Sequence, residues 1–311
     1  MVAGGNDGLR ISPVVLLWTM FAVVAVEIVV TYSRIPPAKL YSVSGTGIGA
    51  GFGRALVFLD FPVALAALPV IVVAADRLRR VPAVVGAVVA TGLCSVVFWP
   101  GVVDQYDLDA RWVNALPAAG VVLAVVLSLA AGLHRERVRL RVVPALLLLL
   151  AIPWLAAELG FHLDGIPGLR SIFLTGKVVG VRAAVHLGHH HGMDGVLLTF
   201  AALLLVPLVR RIRAPALRLL AGLYLGLEVA YGLANTAQDA WLEQIAKRGW
   251  TTHVIPSVLH PTLSLPWLGI AVAAAVFAAL ILRPVPARRS GPSGPRTPSS
   301  PPARPRTAPG G

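Results

Sequence analysis

Eight long apolar runs constrain this chain more than any other feature of its sequence. They fall at about 12–32, 53–76, 82–103, 113–133, 141–161, 190–210, 214–236 and 264–283. A helix of about 20 apolar residues crosses a hydrocarbon core of roughly 30 Å, and amphipathic core helices do not carry such unbroken runs. Only 13% of the residues are charged and 57% are hydrophobic, whereas soluble domains carry about 25% charged residues. A soluble globule of this length would lack the polar side chains to cover its surface. The expected fold is an all-α polytopic integral membrane protein with about eight transmembrane helices. This excludes a soluble enzyme, a disordered chain and a disulfide scaffold, and the single cysteine, Cys94, has no internal partner. The first run is too long for a signal peptide, and no small-residue cleavage site follows it before Tyr32-Ser33-Arg34, so it is read as a retained helix.

The net charge of +13 is explained by sidedness rather than by nucleic acid. With the N-terminus inside, the inner segments hold Arg10; Arg77, Arg79 and Arg80; Arg135, Arg137, Arg139 and Arg141; Arg210, Arg211, Arg213 and Arg218; and six arginines from Arg283 onward. Those segments carry three acids, Asp7, Asp76 and Glu136. Basic residues favour the cytoplasmic side, so both termini are expected in the cytoplasm. Three parts follow: a cytoplasmic N-terminal segment at 1–11, an eight-helix domain at 12–283 with an outward-facing polar site, and a cytoplasmic tail at 284–311. The tail is rich in Pro, Ser, Gly and Arg, and its composition predicts disorder. Arginine far outnumbers lysine, which occurs only at Lys39, Lys177 and Lys247. That bias points to a GC-rich bacterium, and the topology points to its plasma membrane.

The same topology sorts the remaining polar residues. His134 falls inside, and His162, His186, His189, His190, His191, His253 and His260 fall outside. Acids inside the apolar runs lie toward the outer side as well: Glu27, Asp60, Glu158, Asp194 and Glu228. A carboxylate at bilayer depth costs on the order of 2.5–3.5 kcal/mol. Most of these acids should therefore face a bundle interior or a wet cavity, either as a functional site or as a structural polar network joining helices.

The densest polar stretch is His186-Leu187-Gly188-His189-His190-His191-Gly192-Met193-Asp194. On a helix, His186, His190 and Asp194 stand at i, i+4 and i+8 with His189 beside them, a spacing that can converge on one cation. Glu158 and His162 form a second i, i+4 pair. Glu228, Tyr231, Asn235 and Asp239 form a third stripe. Imidazole-rich sites suit zinc, iron or copper better than calcium. A divalent transition metal is thus expected on His162, His186, His189, His190 and Asp194, with Glu158 and Glu228 as general acid/base. A solvated histidine loop and a protonation switch stand beside that reading.

His186-x-x-His189-His190 also resembles one histidine box of the membrane fatty-acid desaturase and hydroxylase family. The likeness spans five residues, no second box of that kind occurs, and the family's boxes are cytoplasmic, so no residue role is carried over from it.

Weaker features read structurally. Gly45, Gly49 and Gly53, and Gly222 and Gly226, form small-xxx-small series suited to close helix packing. Ser44 has no base identifiable beside it. Trp99, Trp112, Trp154, Trp241, Trp250 and Trp267 lie near helix ends and suggest an interfacial belt. Residues 165–185 are long for a plain loop and could roof the polar site.

The function expected from all this is a metal-dependent membrane enzyme, a hydrolase or oxidoreductase, acting on a lipid or lipid-linked substrate at the outer leaflet. Its partners are membrane lipid and that substrate, and no nucleic acid. The alternatives are a proton- or cation-coupled transporter, and a non-catalytic assembly or scaffold protein. The nearly pure Val/Leu/Ala inner halves of helices 1, 2, 5, 6 and 7 weigh against a continuous transport path.

Overall fold

The computed structural model describes residues 10–34, 44–99, 109–139, 178–179, 182–183, 191–246 and 249–283. Seven helices among the described residues are long and apolar enough to cross a membrane. In chain order they are α1 (Pro13–Arg34), α2 (Gly47–Leu78), α3 (Val81–Phe98), α4 (Trp112–Ala130), α5 (Gly192–Val209), α6 (Pro215–Trp241) and α7 (Leu265–Leu282). They match seven of the eight apolar runs. The run at 141–161 and the tail at 284–311 lie outside the described residues. Besides the helices, there are two two-residue antiparallel ladders, Arg10–Ile11 with Val138–Arg139 and Val178–Val179 with Arg182–Ala183.

Proline marks several helix starts. Pro13 opens α1, Pro215 opens α6, and Pro82 and Pro266 stand in the first turns of α3 and α7. There the missing N–H removes a donor that would have had no partner, and the fixed φ suits the helix. Left-handed residues stop others: Arg79 at φ 47° ends α2, and Gly132 at φ 67° follows α4.

α2 is 32 residues long, about 48 Å at 1.5 Å per residue, more than a bilayer core requires. Its middle opens into a wide π turn at Leu59–Val63 that contains Pro62. Proline has no N–H to offer the carbonyl one turn back, so the ladder widens around it. That turn holds Asp60.

Glycines set the closest helix crossings. A Cβ at Gly51 would meet Val29's carbonyl oxygen and Ser33's hydroxyl on α1. A Cβ at Gly195 would lie 2.5 Å from the Gly232 carbonyl oxygen, joining α5 to α6. A Cβ at Gly226 would lie 2.8 Å from the backbone nitrogen of Ala278 on α7. The Gly222/Gly226 expectation therefore holds. The Gly45/Gly49/Gly53 expectation does not, because Gly49 faces open space and the contact with α1 belongs to Gly51.

One end of the bundle collects the arginine-rich segments. Glu136, just after α4, pairs with Arg77 at the end of α2 (2.8 Å) and with Arg211 between α5 and α6 (2.6 Å). Asp76 accepts from the Arg79 guanidinium (3.0 Å) and from the backbone N–H groups of Arg213 (2.9 Å) and Ala214 (3.2 Å). Arg210 donates to the carbonyls of Ile281 (2.5 Å) and Leu280 (3.0 Å) at the end of α7. The Arg10–Ile11 ladder adds the start of α1 to the same end. Segments grouped by charge in the sequence are thus neighbours in space.

Candidate functional site

The polar interior lies toward the opposite end and is built mainly on α6. Its third-stripe residues, as spaced in the sequence, share one buried face: Glu228, Tyr231, Asn235 and Asp239, with Gln238 beside them. Glu228 is 3% exposed, and neither of its carboxyl oxygens has a hydrogen-bond partner among the described residues. Asn235 is fully buried with both amide atoms unpartnered. A buried polar group without a partner is strongly destabilising, so these side chains need a reason beyond packing.

The segment after α6 folds back over this face. The backbone N–H of Val258 donates to Gln238 Oε1 at 2.7 Å, and the Tyr231 hydroxyl donates to the Leu259 carbonyl at 3.4 Å. Trp267, in the first turn of α7, stacks on Tyr231 with ring centres 5.7 Å apart. Trp267 is half-buried at this helix end. Trp99, Trp112 and Trp250 are exposed, as a belt requires.

On the α2 side, the Phe61 ring meets Tyr231 edge-on at 6.2 Å, and the Tyr224 hydroxyl donates to the Leu65 carbonyl at 3.1 Å. These two contacts bracket Glu228, which sits between Tyr224 and Tyr231 on α6.

Asp60, in the π turn, is fully buried. Asn114 connects it to α4: its Nδ2 donates to Asp60 Oδ2, while its Oδ1 accepts the Arg111 backbone N–H at 2.5 Å. One amide thus caps α4 and fixes the carboxyl orientation, and Asp60 Oδ1 is left without a partner.

Of the residues expected to form the metal and acid/base site, Glu228 and Asp194 are described. Asp194 is in the first turns of α5, partly buried, next to the Gly195–Gly232 crossing. Thr236 on α6 donates to the Gly192 carbonyl at 3.3 Å. That register puts Glu228 roughly 9 Å nearer the start of α6 than the level of Asp194, by the rise of the helix. Glu158, His162, His186, His189 and His190 lie outside the described residues, as do residues 165–177. Among the described residues, no three His, Cys, Asp or Glu side chains gather where a metal could bind. His253 and His260 are exposed, and the His253 ring stands edge-on to Trp241 at 6.2 Å.

Ser44 does have a carboxylate beside it. Its backbone N–H donates to both Asp109 oxygens (3.1 and 3.0 Å), and its hydroxyl donates to Asp109 Oδ2. Ser44 is exposed and Asp109 half-buried, and the contact ties the lead-in of α2 to that of α4.

Two contributors escaped the sequence reading, Asn114 and Tyr224, and so did Arg54, which is buried on α2 outside this cluster. Arg54 carried a signal, since it lies in an apolar run with Ala50, Gly51, Val57 and Phe58 at i±3 and i±4 and no acid among them. No protein-family model matches the chain, and comparisons with characterised proteins and with solved structures give no match either.

Proposed function

We propose that this protein is a membrane enzyme that works at the outer leaflet on a lipid or lipid-linked substrate, with Glu228 as its acid/base group. The observation that carries this reading is the Glu228 carboxyl, buried to 3% exposure with both oxygens unpartnered among the described residues. A carboxyl held this way adds nothing to packing, and intramembrane ionisable residues are functional candidates by default. Its position between Tyr224 and Tyr231, under the fold-back of residues 249–264, suits a group that exchanges a proton with a substrate shielded from water.

In this proposal the arginine-rich end faces the cytoplasm and the protein sits in the plasma membrane with both termini inside. His162, His186, His189, His190 and Asp194 hold a zinc, iron or copper ion, and Glu158 is a second acid/base group. Such a metal supplies a Lewis acid and an activated water, or a redox centre. Asp194 lies near enough to the α5–α6 crossing to contribute from that side. Asn235 and Asp60, each with an unpartnered buried polar atom, offer hydrogen bonds that orient a polar headgroup.

The test is elemental analysis of tag-free, detergent-purified protein beside a His186→Ala/His190→Ala/Asp194→Ala variant, with lipid mass spectrometry of a Glu228→Gln protein. Near-stoichiometric metal in the wild type alone, and a lipid enriched in Glu228→Gln, is the expected result. No metal in either protein and no enriched lipid would overturn the reading. Proton or cation flux in proteoliposomes that Glu228→Gln abolishes would put transport in its place.

A further inference from the structure

Arg54 is the one arginine of α2 away from the arginine-rich end, and it is 8% exposed. Its guanidinium carbon lies 5.4 Å from the centre of the Tyr32 ring, and Tyr32 is itself buried. Its Nε has no hydrogen-bond partner, and no carboxylate of the described residues forms an ion pair with it. The ring face stabilises the cation from one side and leaves the Nε–H, in the plane of the guanidinium, without a partner among the described residues. Ser33, next to Tyr32, also has a buried and unpartnered hydroxyl oxygen, packed against Gly51 one turn before Arg54. Because a Cβ at Gly51 would strike Ser33 and the Val29 carbonyl, the α1 and α2 backbones are locked together at this level.

The depth of Arg54 along α2 points the same way. Asp76 marks the charged end of α2, and Arg54 lies 22 residues before it, about 33 Å by helix rise. The hydrocarbon core is roughly 30 Å thick. If Asp76 is at one membrane surface, Arg54 is at the headgroup level of the other. A buried guanidinium that meets no counter-charge among the described residues is strongly unfavourable, and its planar fork matches the oxygens of a phosphate, the anion abundant at headgroup level.

We propose that Arg54, stacked on Tyr32 and flanked by Ser33, binds a phosphoryl group at the outer membrane surface. As the headgroup site of the enzyme's substrate it rests on the reading above, and it narrows that substrate to a phosphate-bearing lipid. The arginine donates to phosphate oxygens through its N–H groups, and the serine hydroxyl donates a further hydrogen bond.

The experiment measures binding to the full-length protein in detergent by native mass spectrometry. The probes are phosphatidic acid, diacylglycerol with the same acyl chains, and inorganic phosphate. Charge-assisted hydrogen bonds of about 1.5–3 kcal/mol predict that wild type prefers phosphatidic acid to diacylglycerol by about tenfold or more. Arg54→Gln should abolish the preference, and Ser33→Ala should weaken it about threefold in a protein that keeps its thermal stability. Inorganic phosphate competing at equal affinity would support the site and make free phosphate its source. Equal binding of the two lipids by wild type would overturn the proposal, as would an undiminished preference in a folded Arg54→Gln protein. If that variant does not fold, an undiminished preference in both Arg54→Lys and Ser33→Ala would overturn it. Phosphate preference in a protein without metal would keep this site and remove the metal enzyme. Stoichiometric metal without phosphate preference would do the reverse.

Discussion

Asp60 and Asn114 show how much a single amide can govern in an apolar surrounding. Asn114 spends its oxygen on the α4 cap and its nitrogen on Asp60, so Asn114→Ala strips both at once. The expected loss is about 1–3 kcal/mol, seen as a lower unfolding midpoint in detergent. Asp60→Asn keeps a polar group of the same shape and should cost less than Asn114→Ala; the reverse order would mean that the Asp60 charge itself holds α2 and α4 together. The acids were legible in the sequence because a carboxyl in an apolar run stands out. Asn114 was not, since an asparagine at the edge of a run reads as an ordinary helix start. Arg54 was obscured by arginine's abundance, which draws the eye to clusters rather than to one isolated cation.

The glycines of the helices fall into two groups that demand opposite behaviour. Gly226 and Gly195 are pinned against backbone atoms of a neighbouring helix, while Gly92 and Gly269 have nothing within 4 Å of a built Cβ. Gly226→Val should force α6 and α7 apart and lower stability by about 1–3 kcal/mol. Gly92→Ala should be neutral or stabilise by up to about 1 kcal/mol, since alanine is the better helix former. Thermal unfolding of both variants checks the pair, and equal effects would refute the crossing. Seven helices follow from the length and hydropathy of their runs, and start signals such as Pro13 and Pro215 set boundaries within a few residues. The start of α2 was missed by six residues, at Gly47 rather than 53, because glycine carries little hydropathy signal. Which glycine makes a contact depends on the rotation of one helix about another, and an alternating Gly series does not encode that rotation.

The whole molecule has a charged end and a polar interior toward the other end. If the charged end is cytoplasmic, a cysteine placed at the exposed Arg80 in a Cys94→Ala background is shielded from a membrane-impermeant maleimide in intact cells. One placed at the exposed Trp112 is labelled, and the opposite pattern would invert the orientation. At the charged end, strength should follow burial rather than the number of ion pairs. Asp76→Ala strands the N–H groups of Arg213 and Ala214 and should cost about 2–3 kcal/mol. Glu136→Gln removes two partly exposed pairs and should cost under about 1 kcal/mol, less still at high salt. The sequence predicted that these segments share a side. It carried no sign of which carboxylate grips which turn, because such contacts join residues from 59 to 138 positions apart. Asp76 is also the earlier-made partner in each of its long-range bonds, because chains are synthesised from the N-terminus. The turn at Arg213 and Ala214 therefore leaves the ribosome after the carboxylate that receives it has been made, so the first half of the protein is available as a mould against which the α5–α6 hairpin can be cast.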